Sequence, residues 1–390
     1  MKKNILSELC IKPEDCPADS YSEINWKYVD SEMSDGQRRF ISGLVKYYEP
    51  NNVLELGISA GGGSMVLLNA LLNDDNWKGV LYSVDRLDYF YRNPEMPVGY
   101  LAVNKYGKYL GEKWIMLSGK DPSEVFGGGT NALPEDRKFD FCVIDTYHFH
   151  PVESLNFLSV LPRLNDGAVV VIHDTSVFSW EMDYTFLRMY APRLLLSSVC
   201  GYKYIPHLPN GTMIPSNIAA FQVNKDTRKY IQNVFDVLYM PWETNIEEKV
   251  IKNVRAIVEK NYGENFLQMY DEAIATSERL MVVKMYKNTG IVSGFKEIRP
   301  DTIFYGAGTH MKNLLQVTKK LNLRFDYPIW DINAANIKTL AGKKVCFPIE
   351  EALEDTKRDM VVMIEDNVVF NTIKQKYSNL GYHVIKGVEI

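Results

Sequence analysis

Apolar runs of four to seven residues alternate along the first half of the chain with amphipathic stretches of helical period. Ser34-Asp35-Gly36-Gln37 has the serine–glutamine spacing of a capping box, and Phe40, Ile41, Leu44, Val45 and Tyr48 share one face behind it. Pro50-Asn51-Asn52 ends that helix. Strands are then predicted at Val53–Leu56, Gly79–Asp85, Trp114–Leu117, Phe139–Asp145 and Ala168–Asp174. A helix over Val152–Leu164, ended by Asn165-Asp166-Gly167, separates the last two. Leu194–Ile205 and Asn217–Val223 read as two further strands joined through Pro209-Asn210-Gly211. Thr244-Asn245-Ile246-Glu247 reads as a cap for a helix with Val250, Ile251, Val254, Ile257 and Val258 on one face. A second strand–turn–helix unit starts at Thr302, with strands at Ile303–Tyr305, Pro328–Asp331, Lys344–Pro348 and Asp359–Ile364, and a helix through Leu321.

Apolar strands alternating with helices imply a parallel sheet covered on both faces, and the last two strands of the first half imply an antiparallel pair closing it. The fold class is therefore α/β: a Rossmann-like sheet with an antiparallel terminal strand pair, a helical connector, and a second small α/β Rossmann-like domain. The expected divisions are an N-terminal extension over residues 1–33, a first domain over 34–225, a connector over 226–298 and the small domain over 299–390.

Composition narrows the class only a little. The 390 residues are 46% hydrophobic with a formal net charge of −5, which argues against a general nucleic-acid surface. Met1-Lys2-Lys3 opens like a signal peptide but no apolar core follows, and runs such as Ala168–Ile172 are too short to span a bilayer. Cys10, Cys16, Cys142, Cys200 and Cys346 are scattered and form no zinc-type cluster. A cytoplasmic protein without a membrane span is expected.

The chemistry gathers at strand ends. Glu55-Leu56-Gly57-Ile58-Ser59-Ala60-Gly61 puts an acid and a small-residue turn before an apolar helix, where backbone N–H groups can approach a ligand. Asp85, Ser118-Gly119, Asp145 and His173-Asp174 end the strands that follow. Two acids at neighbouring strand ends, Asp145 and Asp174, are hard to explain by packing. His148 lies just past a strand end and is the preferred proton acceptor, with His173 second and His150 third; a hydrogen-bonded structural role competes for each.

These residues resemble class I S-adenosylmethionine-dependent methyltransferases over roughly residues 34–224. The resemblance implies that Gly57, Ser59, Gly61 and Ser64 form the cofactor loop, that Glu55 orders it, that Asp85 binds ribose and that Ser118 and Gly119 lie near the adenine. Ser59 stands where the usual pattern has a glycine. Val143–His150 and Val171–Thr175 are similar to a bacterial subfamily of macrocin-type sugar O-methyltransferases and cephalosporin-hydroxylase-like proteins, which serve antibiotic or polysaccharide biosynthesis. That likeness implies Asp145 and Asp174 as ligands of a divalent metal such as Mg2+; Thr175 stands where related enzymes carry an acid or amide. The implied activity is O-methyl transfer to a saccharide or glycosylated small molecule. A hydroxylase-like enzyme on the same fold and a non-catalytic scaffold are the alternatives. Tyr305–Met311, with Asp331 after the next strand, resembles a small Rossmann-like domain, where docking or homo-oligomerisation is favoured over nucleotide binding because Met311 replaces the third fingerprint glycine. The acceptor's identity, the metal requirement, the ligand of the Gly306/Gly308 loop and the oligomeric state are not read from the residues.

Overall fold

The computed structural model describes residues 33–74, 76–127, 133–134, 136–179, 184–206, 216–286, 299, 301–320, 324–349 and 358–388. The extension before Met33, with Cys10 and Cys16, the Pro209-Asn210-Gly211 turn and the end of the expected connector lie outside these residues. The described chain forms two units: one of residues 1–239 and 246–273, the other of 240–245 and 274–390.

The first unit opens with α1 (Asp35–Tyr48). Ser34 accepts from the Gln37 amide while the Gln37 side chain accepts from Ser34, so the sequence-level capping box is built. Then follow β1 (Asn52–Leu56), α2 (Gly62–Leu72), β2 (Val80–Val84), a short hairpin of β3 (Tyr89–Phe90) and β4 (Asn93–Pro97), α3 (Tyr100–Tyr106), β5 (Trp114–Leu117), α4 (Pro122–Phe126), β6 (Phe139–Ile144), α5 (Val152–Val160) and β7 (Leu164–His173). After these come α6 (Tyr184–Leu187), α7 (Ala191–Ser198), β8 (Lys203–Tyr204), β9 (Ile218–Gln222), α8 (Lys225–Lys229), α9 (Gln232–Val237), α10 (Glu248–Asn261) and α11 (Glu264–Tyr286), whose residues from Ile274 on belong to the second unit.

The seven strands run in the order β5-β2-β1-β6-β7-β9-β8. The first five pair in parallel, while β9 is antiparallel to both β7 and β8. The winding starts at β1, moves outward through β2 to β5, then reverses to β6, so the switch point lies between β1 and β6. Ligands collect beyond the carboxyl ends of the strands at such a point. One face of the sheet is covered by α1, α2 and α3, whose Phe40, Leu44, Val66 and Ala102 join Val53, Phe141 and Val169 in a shared core.

Three expectations need correction. The strand expected over Leu194–Ile205 begins as helix, through Ser198: Pro192 starts α7 in its first turn, and Ala191, Pro192, Leu195 and Leu196 are buried at four-residue spacing. Only Lys203 and Tyr204 extend as strand. The helix from Val152 ends at Val160, because a 3-10 turn at Leu161–Arg163 carrying Pro162 leads straight into β7, which contains Asn165-Asp166-Gly167. The cap at Thr244–Glu247 is not formed: Glu247 precedes α10 without a side-chain cap bond, and its carboxylate pairs with Arg86 instead.

The second unit contains β10 (Ile303–Tyr305), α12 (Thr309–Lys320), β11 (Ile329–Trp330), α13 (Ala334–Ile337), β12 (Thr339–Leu340), β13 (Lys343–Cys346), β14 (Asp359–Val362), α14 (Asn367–Ser378) and β15 (His383–Lys386). Its six-stranded order is β12-β13-β11-β10-β14-β15, parallel except for β12 against β13. The β3–β4 hairpin, α14 and β15 had no counterpart in the periodicity reading.

Candidate active site

The glycine loop joins β1 to α2. Gly57 has φ +91°, and a Cβ there would sit 1.7 Å from the carbonyl oxygen of Asp145. The Asp145 amide in turn donates to the Leu56 carbonyl at 2.9 Å. The loop after β1 and the loop after β6 therefore touch, backbone to backbone, across the switch point. Ser59 takes φ +53°, the left-handed conformation its glycine counterpart adopts without strain. Gly61, at φ +97°, precedes α2 and no side chain caps that helix, so first-turn N–H groups face the loop.

Glu55 is buried beneath the turn. Its Oε2 accepts from the Ser64 hydroxyl at 2.6 Å, and burial, against the pull of the Ser64 and Ser83 hydroxyls, pushes its pKa up to about 7. Asp85 serves the same loop from the side: Oδ2 accepts from the Ile58 and Ser59 amides at 2.8 and 3.0 Å, and Oδ1 from Leu87 at 2.8 Å. These three backbone bonds tie the loop to the end of β2. Ser118 and Gly119 follow β5 beside it, since Gly119 donates to the Leu87 carbonyl and Lys120 to that of Asp85.

Across the switch point Asp145, His148, His173 and Asp174 converge. His148 Nε2 lies 3.1 Å from Asp174 Oδ2 and 3.8 Å from Asp145 Oδ1. His173 Nδ1 lies 3.3 Å from Asp145 Oδ1 and 3.4 Å from Asp174 Oδ1. Burial alone would lower the His173 pKa, but the Asp145 and Asp174 carboxylates raise it to about 9. The two acids thus favour the protonated form of His173, whose Nδ1 lies against both of them. His150 is buried against the Tyr190 ring, 6.3 Å between centroids, away from the acids' hydrogen bonds. His148 (φ +65°) and Asp174 (φ +55°) both hold left-handed backbone, a strained state that gathers at functional sites.

Asp145, His148 and Asp174 each offer a ligand atom, all within 4.8 Å of one another. Two carboxylates and an imidazole fit a divalent cation, and the imidazole favours Mn2+ or Fe2+ over Mg2+. Thr175 takes no part, because its hydroxyl donates to the Ser216 carbonyl. The amide expected at that position comes from Asn217, at the start of β9, whose Nδ2 donates to Asp174 Oδ1 at 2.6 Å.

Three further residues escaped the reading of the residues. Glu153, on the first turn of α5, is buried beneath the 146–148 turn. Asn217 lies on a strand expected only to close the sheet. Tyr91, at the tip of the β3–β4 hairpin, has a hydroxyl made harder to ionise first by burial and then by the charges of Asp145 and Asp174. The hairpin is tied to the glycine loop, since Gly99 and Leu101 donate to the carbonyls of Ser59 and Ala60. No period-2 or helical pattern marks residues 89–97, so only the fold brings Tyr91 to the acids.

Residues 54–175 match a family model described as a methyltransferase domain. No curated protein matches the chain. Among solved structures, the O-methyltransferase TomG from Streptomyces achromogenes, involved in tomaymycin synthesis and in complex with SAM, is 17% identical over 57% of this chain and 91% of its own, with a TM-score of 0.35. An O-methyltransferase from Bacillus cereus in complex with SAH is 15% identical over 57% and 92%, TM-score 0.35. A putative caffeoyl-CoA O-methyltransferase from Staphylococcus aureus is 13% identical over 47% and 82%, TM-score 0.34. The stretch that matches the methyltransferase-domain model is the one that holds the glycine loop, Asp85, Asp145, His148, His173 and Asp174.

Proposed function

We propose that the protein is an S-adenosylmethionine-dependent O-methyltransferase acting on a hydroxyl of a saccharide or a glycosylated small molecule, with a divalent cation held by Asp145, His148 and Asp174. The observation that carries this reading is the backbone contact between Gly57 and Asp145, which sets the glycine loop beside the acid cluster.

The loop suits the cofactor's amino-acid end. Positive-φ turns at Gly57 and Gly61 keep side chains out of it, and the uncapped start of α2 offers N–H groups to a carboxylate. When bound, S-adenosylmethionine offers a sulfonium methyl to an oxygen nucleophile and leaves as a neutral thioether. Asp85 and Glu55 hold the loop in shape. A cation held by Asp145, His148 and Asp174 would lower the pKa of a hydroxyl that reaches it, and the hydroxyl proton would pass to solvent at the exposed side of Asp145. His148 Nε2 faces both carboxylates, which supports reading it as a ligand and not as the base: a nitrogen bound to a cation would have no lone pair left for a proton. The carboxylate of Asp145, 26% exposed against 10% for Asp174, marks the side from which the acceptor enters. Tyr91 and Tyr147 are half exposed beside that opening, and Tyr147 packs on Phe149 at 5.0 Å. The C–H faces of a sugar ring pack on such aromatic surfaces, which supports the saccharide assignment.

The test is transfer of a labelled methyl group from S-adenosylmethionine to a panel of free, glycosidic and nucleotide-linked sugars, read by mass spectrometry, with cofactor binding measured by isothermal titration. Saturable cofactor binding and a label on a sugar oxygen are expected. Absence of cofactor binding at millimolar concentration would overturn the reading.

A further inference from the structure

His148 occupies a backbone conformation that a residue with a Cβ rarely adopts, in a turn with no regular structure to hold it. What holds it lies underneath. The Glu153 side chain is 1% exposed, and its Oε1 accepts from the His148 amide at 2.6 Å and from the Thr146 hydroxyl at 3.1 Å. The same oxygen lies 3.7 Å from His148 Nδ1. Asn156 Nδ2 donates to the Thr146 hydroxyl at 3.1 Å, so the chain Asn156–Thr146–Glu153–His148 ties the first turns of α5 to the loop after β6. The other carboxylate oxygen, Oε2, is buried without a hydrogen-bond partner. A buried acid with one unpartnered oxygen costs stability, which a purely packing position would avoid by carrying an apolar side chain.

We propose that Glu153 is the positioning residue of the site: its Oε1 pins the His148 backbone so that Nε2 faces Asp145 and Asp174. The ring itself is aimed by the turn, and the carboxylate fixes the turn. Groups behind a metal ligand typically change affinity or activity about 10–100-fold when removed. This inference rests on reading the acid cluster as the acceptor and cation pocket.

The experiment compares Mn2+ affinity, kcat and the KM for S-adenosylmethionine in the full-length wild type, Glu153→Leu and Glu153→Gln. The amide of Glu153→Gln keeps an acceptor at Oε1 and puts its NH2 where Oε2 had no partner. Glu153→Leu is expected to lose about 10–100-fold in Mn2+ affinity and in kcat with an unchanged cofactor KM, and Glu153→Gln to recover both to within about threefold. Wild-type Mn2+ affinity and kcat in Glu153→Leu would overturn the proposal, as would a Glu153→Gln enzyme as impaired as Glu153→Leu. Should Glu153→Leu not fold, Thr146→Val removes one donor from Oε1 without touching the carboxylate; a loss of about threefold in Mn2+ affinity supports the clamp and no loss overturns it. Failure of the parent reading looks different. A wild type that binds no Mn2+ refutes the cation pocket and leaves the clamp to be judged on kcat against KM; a wild type without turnover leaves it to be judged on Mn2+ binding.

Discussion

The chain contains the same loop twice, and the two copies differ where it matters. Gly57 and Gly306 end the first strand of their units at φ +91° and +101°. Asp85 and Asp331 end the next strand; each binds loop amides with Oδ2 and the amide two residues on with Oδ1. Two residues before the glycine, however, the first loop has buried Glu55 and the second has buried Phe304. After the strand on the far side of the switch point, the first unit has Asp145 and the histidine–acid cluster, whereas the second has Glu365, paired with His310 at 3.1 Å. A tethered glycine turn is thus a backbone device that any such sheet can use. A buried acid under it, and a cation-type pocket across from it, are what make the first one chemical.

The largest effect expected from this contrast is on turnover. Asp145→Ala should lower kcat by roughly 10³-fold, while Glu365→Ala leaves it unchanged, measured by labelled methyl transfer. Equal losses would show that the second loop shares in catalysis.

The glycines come next. A Cβ at Gly57 meets the Asp145 carbonyl oxygen at 1.7 Å, whereas at Gly306 it meets the Ile364 side chain at 2.9 Å and at Gly308 nothing within 4 Å. Gly57→Ala should cost about 3 kcal/mol or more, Gly306→Ala about 1–2 kcal/mol from backbone strain, and Gly308→Ala less than about 0.5 kcal/mol, read by denaturant unfolding.

Glu55 predicts a pH dependence that Phe304 cannot have. Its folded pKa of about 7 lies above the ordinary 4.5, so folding favours the protonated acid. Its contribution is fully present below about pH 4.5 and is lost as pH rises through 7. Glu55→Gln should therefore gain on the wild type between pH 5 and pH 8, by up to about 3 kcal/mol, in urea denaturation at each pH. A parallel pH profile for the two proteins would remove the buried charge from the account.

The smallest effect separates the tethers. Asp85→Ala should weaken S-adenosylmethionine binding about tenfold by loosening two loop amides, and Asp331→Ala should leave it within about twofold, by isothermal titration. A matching loss in both would break the comparison.

Much of this was legible from the residues, for identifiable reasons. Strand alternation, the capping box at Ser34 and the glycine loop are local patterns, set by side-chain period and backbone sterics, and they reappear as drawn. Asp145 and Asp174 were visible because two acids at neighbouring strand ends are hard to explain by packing. α7 was misread because Leu194-Leu195-Leu196 suits a buried strand as well as a buried helix, and only its packing chose the helix. Asp85 was legible as a strand-end acid with an expected ribose role but not as a tether, since which donors it meets depends on how β1 and β2 lie side by side.

The sequence by itself determined the repeating α/β pattern, the place of the two glycine turns and the strand ends at which chemistry could gather, because these depend on neighbours within a few residues. The tertiary structure alone decided that His173 Nδ1 lies against both acids and that Glu153, Asn217 and Tyr91 come near the acid cluster. Those facts depend on residues from β6, α5, β7, β9 and the hairpin meeting in space. Hydrogen bonds and charges act over a few ångströms, whereas the residues they join here lie far apart in the chain, Asp174 and Asn217 by 43 positions.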